Sequence, residues 1–463
     1  MAFLRALTDF LWNPWLLGLF LVAGLVYSLG SGFFQFFEFP LWWKTTVGSL
    51  FKGGQGGGKG LSPLQALATA LASTMGTGSI AGVATALTLG GPGAIFWMWL
   101  SALLGMMTSC GEKLLSVRYQ RPAPGGGLQG GPMYYLRDGA KRPLLALCFT
   151  LACIPATIAG GNLVQSSSIA ASLEAAFGLP RLQVGIMTAL MAGLVMVGGI
   201  GRIARVSSAL VPAMALLYLG AGGAVLALNW ERIPAALSLI LSSAFAPSAA
   251  LGGGAGWTVS AALRYGVARG VFTNEAGLGT SAMAHGAARV DHPARQGMWG
   301  IFEVFLSTLL VCTITALSIL TSGVWTPADP GALTGAPLTT AAFGSALGRA
   351  GEGVVALSLL LFAFSSILGW SYYGQQCLAY LAGGRKLIPA YRAVFLLCVI
   401  LGAVWEPEAV WLLADLCNAL MALPNLAALL LLAPEALSLL EGWRRAASRR
   451  GSGRILQKKE KPY

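Results

Sequence analysis

Apolar residues along this chain run in long blocks, interrupted by short clusters of glycine, proline and charge. A helix needs roughly 20 mostly apolar residues to cross a hydrocarbon core of about 30 Å. Blocks of that kind lie near 14–31, 64–89, 94–116, 143–174, 182–199, 204–228, 257–288, 298–322, 353–382, 390–405 and 409–433. The pattern predicts an all-α, polytopic membrane protein of about 11 transmembrane helices. The seventh block is the weakest, since it holds Arg264, Arg269, Asn274 and Glu275. Two further stretches, Ile233 to Phe245 and Thr339 to Leu347, read as short surface helices.

Composition strengthens this plan. Of 463 residues, 56% are hydrophobic and 10% charged, against roughly 25% charged in a soluble domain. The net charge of +13 is concentrated after Glu441, in Arg444, Arg445, Arg449, Arg450, Arg454, Lys458, Lys459 and Lys461. With no aromatic-interleaved basic module, that tail reads as facing anionic lipid, and no nucleic-acid partner is expected. The seven cysteines stand singly in apolar stretches without CxxC spacing and read as small core residues. No small-residue cleavage site follows the first apolar run, so that helix is expected to stay in the mature protein.

Basic residues in the connections then alternate between the two sides. Lys44, Lys52 and Lys59 precede the second span, and Lys113, Arg118, Arg121, Arg137, Lys141 and Arg142 lie between the third and fourth. Arg202 and Arg205 follow the fifth, Arg289 and Arg295 the seventh, and Arg385, Lys386 and Arg392 the ninth. The positive-inside rule places those connections in the cytoplasm, the N-terminus outside and the C-terminus inside a plasma or inner membrane. Omitting the seventh span would put every later arginine on the wrong side, which argues for it independently of hydropathy.

Two spans carry the signature of an interrupted helix. One holds Ser73-Thr74-Met75-Gly76-Thr77-Gly78-Ser79, the other Phe272-Thr273-Asn274-Glu275-Ala276-Gly277-Leu278-Gly279-Thr280. In lipid, unwound backbone persists only where protein or a polar cavity surrounds it. Half-helix ends carry partial charges of roughly +0.5 and −0.5, suited to a carboxylate and a small cation. Isolated glycines would read as packing notches. The five-span spacing of these two clusters instead fits inverted repeats, in which the copies run in opposite directions. A carboxylate at Glu275 costs about 2.5 to 3.5 kcal/mol near the bilayer centre. It is expected to be a proton carrier, a cation ligand, or part of an ion pair with nearby Arg269.

The stretches GTGSIAGVATAL from Gly76, GGPGAIFWMW from Gly90, GGPMYYL from Gly130, GGNLVQ from Gly160 and RGVFTNEAGLGTSAMAH from Arg269 resemble the alanine or glycine:cation symporters. The resemblance implies uptake of alanine or glycine with Na+ and no organic cofactor. It also implies a leucine-transporter-like fold of five plus five inverted helices with one additional N-terminal helix. On that plan, residues 1–60 hold the additional helix and an amphipathic connector, and 61–230 the first repeat. Residues 231–435 form the second repeat with external surface helices, and 436–463 a basic cytoplasmic tail.

The same resemblance places substrate between the broken helices. Thr74, Gly76, Thr77 and Gly78 would meet its carboxylate, and Phe272, Thr273 and Ala276 its amino group and side chain. Gln165 would face the pocket and Trp370 would wall it. Carbonyls of Ala72 and Met75 with hydroxyls of Ser365 and Ser366 would hold Na+. Ser79 and Thr280 depart from the family's asparagine and serine, which leaves the choice among glycine, alanine and serine open. No GxxxxGK[ST] segment is present, and His285 and His292 lack HExxH context, so neither ATP-driven transport nor intramembrane catalysis is expected. A proton-coupled small amino-acid permease, with Glu275 as carrier, is the competing expectation. Oligomeric state is not encoded in any of these features.

Overall fold

The computed structural model describes residues 2–50, 61–123, 126–245, 258–326, 333–381 and 384–459. Lys52 and Lys59 of the connector, Trp257 and Ala382 at the edges of predicted spans, and Lys461 of the tail lie outside the described residues.

Helices account for nearly all of the described chain. It opens with α1 (Ala2–Leu11) and α2 (Pro14–Gly30), with Pro14 starting the second where its missing N–H is no loss. Then come α3 (Pro63–Thr74) and α4 (Ala81–Gly90), the halves of the first interrupted helix, followed by α5 (Gly93–Arg118). One span is shared by α6 (Pro143–Ile158) and α7 (Val164–Phe177), after which α8 (Arg181–Met196) and α9 (Gly199–Leu228) follow. A surface helix, α10 (Ile233–Phe245), leads to the second interrupted pair, α11 (Val259–Asn274) and α12 (Thr280–His285). Another span is shared by α13 (Pro293–Val304) and α14 (Thr313–Ser322). The chain ends with α15 (Gly335–Leu347), α16 (Arg349–Tyr380), α17 (Ile388–Val404) and α18 (Pro407–Lys459).

Among the described residues, eight helical stretches are long and apolar enough to cross a bilayer. The 16-residue α8 and the 10-residue α4 are shorter apolar helices, and the other halves of the interrupted pairs are short pieces of 12, 16 and 6 residues. Leu194 and Leu216 are more than 70% exposed, as side chains turned toward lipid would be. Several boundaries differ from the sequence pattern: α9, α13 and α16 begin four or five residues earlier than expected, at Gly199, Pro293 and Arg349. The second surface helix starts at Gly335, four residues before the expected Thr339, and α18 runs on past residue 433 as a continuous helix despite Pro424 and Pro434. Ala436 and Leu440 are still buried beyond that point, so packing rather than hydropathy carries the helix on.

Close helix contacts depend on glycine. A Cβ at Gly161 would stand 2.3 Å from the Trp370 side chain, and one at Gly266 2.3 Å from the Ala94 carbonyl oxygen. Without a hydrophobic drive between helices in lipid, such van der Waals approach is what holds them together.

Candidate functional site

The first break begins with a well-formed start. Ser62 accepts the Gln65 N–H at 3.2 Å while the Gln65 side chain accepts the Ser62 N–H at 3.0 Å, with Pro63 between them. The helix stops at Thr74, and a short 3-10 turn spans Thr77–Ser79 before α4. Neutral side chains from other helices meet the released backbone. Ser365 donates to the Ala72 carbonyl at 2.9 Å; Ser366 reaches the carbonyls of Ala72 at 3.1 Å and Ser73 at 2.9 Å. Gln165 accepts the Thr77 N–H at 3.1 Å and donates to the Gly160 carbonyl at 3.0 Å. Gly160 lies in a π turn at Ala159–Leu163, four residues after Pro155, where irregular pairing turns the backbone into the bundle.

The second break is built from charge. Glu275, Gly277 and Gly279 all take positive φ, at 56°, 93° and 79°, and a non-glycine residue there is unusual enough to mark a constrained position. One carboxylate oxygen of Glu112, on α5, accepts the N–H groups of Gly277 and Gly279, both at 2.9 Å. The same oxygen accepts Asn425 Nδ2 at 2.7 Å, and Asn425 also donates to the Gly277 carbonyl at 2.9 Å. Asn274 Oδ1 accepts the Ala276 N–H at 3.0 Å, and the Thr280 hydroxyl donates to Glu275.

Between the breaks lies a small cavity of about 10 Å³ lined by Ser73, Thr74, Gly76, Gly78, Gly160, Gln165, Phe272 and Trp370. That is room for about one water molecule, so the lining is drawn together here and must widen to admit even a small amino acid. A Cβ at Gly76 would stand 2.5 Å from Ser366 Oγ, and one at Gly78 2.7 Å from Thr273 Oγ1, so bare backbone is what fits there. Of the residues expected to meet substrate, Thr74, Gly76, Gly78, Gln165, Phe272 and Trp370 are brought together on this lining. Thr77 sits just behind, its N–H on Gln165 and its hydroxyl buried without a partner. Thr273 donates to the Arg269 carbonyl at 2.8 Å, and Ala276 turns toward Gly105 of α5, so neither lines the cavity. Of the expected cation donors, Ala72, Ser365 and Ser366 converge, joined by the Ser73 carbonyl, while Met75 is packed in the apolar cluster beside Ala72. Hard neutral oxygens of this kind fit a small monovalent cation.

Charged groups on either side differ from the sequence reading. Arg269 does not pair with Glu275; it forms a two-pronged bridge to Asp415 on α18 at 3.0 and 2.7 Å. The reason is geometric: Arg269 lies six residues before Glu275 on the helix, and Glu275 has already left helical backbone. The Arg269 guanidinium also lies 4.6 Å from the Trp411 ring centre, and the Trp411 and Phe272 rings pack with their centres 4.9 Å apart at a tilt of 45°. Lys113, counted above among connection charges, is instead fully buried on α5. Its Nζ lies 3.6 Å from Glu112, 3.4 Å from Glu303 and 2.7 Å from Ser109 Oγ. Glu112, Glu303 and Asp415 were all missed, although an acid inside an apolar span is a signal that the sequence does carry.

A sequence profile of the sodium:alanine symporter family matches residues 1–457. The chain belongs to that family. The sodium/alanine symporter AgcS of Methanococcus maripaludis is 42% identical over 437 residues, covering 93% of this chain and 94% of its own. The putative sodium/proton-dependent alanine carrier protein YrbD of Bacillus subtilis is 36% identical, with coverage of 96% and 92%. Among solved structures, MhsT in complex with L-phenylalanine aligns with a TM-score of 0.57 over 83% of this chain and 93% of that one, at 14% identity. That likeness establishes the fold of this symporter-family chain as leucine-transporter-like and nothing finer. Its membership and apolar helices make it a multi-pass membrane transport protein.

Proposed function

We propose that the protein takes up alanine or glycine together with Na+ by alternating access. The observation that carries this reading is the convergence, between two interrupted helices, of polar side chains and bare Gly76 and Gly78 backbone on one small cavity. The substrate carboxylate meets the first break at Thr74, Gly76, Thr77 and Gly78, where α4 begins and presents the positive end of its dipole. The second break, at Phe272, Thr273 and Ala276, faces the amino group and side chain, with Thr273 and Ala276 acting from behind the lining. Gln165 fixes the Thr77 amide, and Phe272 and Trp370 limit side-chain size. Na+ takes the carbonyls of Ala72 and Ser73, with Met75 adjacent, and the hydroxyls of Ser365 and Ser366.

The breaks fall in two inverted repeats, 61–230 and 231–435, after an additional N-terminal unit and before a basic cytoplasmic tail from 436. With the N-terminus outside, the Arg269–Asp415 bridge and the tilted Phe272–Trp411 ring contact close the outer route. On the inner side, Leu61 pairs with the backbone of Ala287 and Arg289 at 3.2 and 3.0 Å. One Na+ moving down 100 mV gains about 2.3 kcal/mol. A tenfold gradient adds about 1.4 kcal/mol, together enough for a few-hundredfold accumulation.

Uptake of labelled alanine and glycine into proteoliposomes, with and without Na+ at fixed pH, tests this reading. Na+-dependent accumulation, weakened in Thr77→Val, is the expected result. Uptake that ignores Na+ and follows pH, abolished in Glu275→Gln, would establish the proton-coupled alternative, which the partnerless second oxygen of Glu275 favours.

A further inference from the structure

At the end of α2 the chain turns sharply. Gly32 and Phe33 both take positive φ, at 67° and 54°, and the Phe33 N–H returns to the Ser28 carbonyl at 2.6 Å. Between that turn and the far part of α18 lies a second cavity, much larger than the one between the breaks. It measures about 230 Å³ and is lined by Gly30, Ser31, Gly32 and Phe34 on one side and by Leu437, Leu440, Glu441 and Arg444 on the other. A single water needs about 10–15 Å³, so this is room for an organic group. A Cβ at Gly32 would meet nothing within 4 Å, in keeping with open space there.

The lining changes character along α18. Leu437, Leu440, Glu441 and Arg444 follow at spacings of three and four, which puts them on one face of the helix. Arg444 lies two turns, about 10 Å, beyond Leu437, so the apolar part comes first and the ionic part second. Exposed side chains mark the depth of this place. Leu25 and Leu29 on α2 are exposed, and so are Phe36, Phe37, Phe39 and Trp43 just past the turn. Apolar side chains followed by a belt of aromatic rings are the pattern of a chain leaving hydrocarbon for the headgroup layer.

Charge at the rim restricts what fits. Arg444 Nε lies 2.8 Å from Glu441 and its Nη1 3.7 Å from Glu38, while Arg445 meets the other Glu441 oxygen at 2.8 Å. Glu38, Glu441 and Arg444 are each about a third exposed, within reach of a headgroup. Two acids and two arginines sum to zero, so a ligand with net charge would unbalance the set, whereas one carrying both signs would not. A guanidinium fork and a carboxylate each have capacity for more than one partner, so the ion pairs need not break.

We propose that the cavity between the end of α2 and α18 binds one zwitterionic phospholipid, with its phosphate on Arg444, its ammonium on Glu441 and its glycerol and upper acyl chains against Phe34, Leu437 and Leu440. The lipid then ties the N-terminal helix α2 to the last helix of the bundle. On the topology proposed above it belongs to the inner leaflet, but its binding does not depend on the transport reading.

Native mass spectrometry of the purified full-length protein, stripped of lipid in detergent, tests this. The protein is offered phosphatidylethanolamine and phosphatidylglycerol with the same acyl chains, in equal amounts. One phosphatidylethanolamine is expected to be retained in preference to phosphatidylglycerol by about tenfold, the size of one hydrogen bond to a charged group. Glu441→Gln removes the ammonium's partner and leaves the phosphate's, so the preference is expected to vanish or reverse. Arg444→Gln is expected to weaken retention of both lipids, and Leu440→Trp, which fills the cavity, to abolish it. Equal retention of the two lipids, stronger retention of phosphatidylglycerol, or no retained lipid in the parent protein overturns the site. A preference that survives Glu441→Gln overturns the headgroup assignment. Phosphoethanolamine without acyl chains is expected not to compete at equal concentration, and competition by it would overturn the assignment to a lipid.

Discussion

The two interrupted helices are alike in sequence texture and opposite in how they are held. At the first, neutral hydroxyls and one amide from Ser365, Ser366 and Gln165 meet the released backbone, and all of them lie on helices across the cavity. At the second, a buried carboxylate and Asn425 clamp Gly277 and Gly279 from outside the cavity. A hydroxyl or amide bond is worth roughly 0.5–1.5 kcal/mol net, and one to a charged group about 1.5–3 kcal/mol. Contacts of the first kind can be exchanged for a ligand. Contacts of the second kind fix a frame against which exchange occurs.

This contrast breaks most visibly if the frame is discharged. Lys113→Met leaves two buried carboxylates without their cation and is expected to cost about 3–5 kcal/mol. That loss would appear as a lower unfolding midpoint and a low yield of folded protein in detergent, and unchanged stability would mean that the cluster does not anchor the second break. Next in size is Gly76→Ala, which puts a methyl 2.5 Å from Ser366 Oγ. Uptake is expected to fall at least about a hundredfold, roughly 2.7 kcal/mol in transition-state terms, while the melting temperature stays near that of the parent.

Smaller still is Ser366→Ala, which removes one donor from the proposed cation site. The Na+ concentration for half-maximal uptake is expected to rise about tenfold, near 1.4 kcal/mol, and an unchanged Na+ requirement would remove Ser366 from that site. At the bottom of the scale is Arg5→Ala. It deletes an ion pair with Glu408 in which both side chains are more than half exposed. Such pairs contribute about 0–1 kcal/mol, so neither stability nor transport is expected to change measurably.

Much of this was readable in the chain, for local reasons. Glycines flanked by hydroxyls mark both breaks, because at the first a Cβ would collide with Ser366 or Thr273 and at the second Gly277 and Gly279 take positive φ. The surface helix from Ile233 to Phe245 was legible because the connection there is long enough to hold one. What escaped were partnerships over distance. Glu112 meets Gly277 across 165 positions and Asn425 across 313, and no spacing rule connects them. Lys113 was misplaced because the positive-inside rule counts charge by sequence neighbourhood, whereas a buried acid on another helix can draw a lysine into the bundle. An ion pair of Arg269 with Glu275 stood among the alternatives for the same reason, and that Asp415 is the actual partner emerges only in three dimensions.

The most direct test of the account is accumulation of labelled alanine by proteoliposomes at fixed pH and membrane potential, with an imposed Na+ gradient present or absent. The account predicts accumulation well above equilibrium only with the inward Na+ gradient, and its loss in Gly76→Ala. Accumulation that persists without Na+, or that survives a methyl group at position 76, would contradict it.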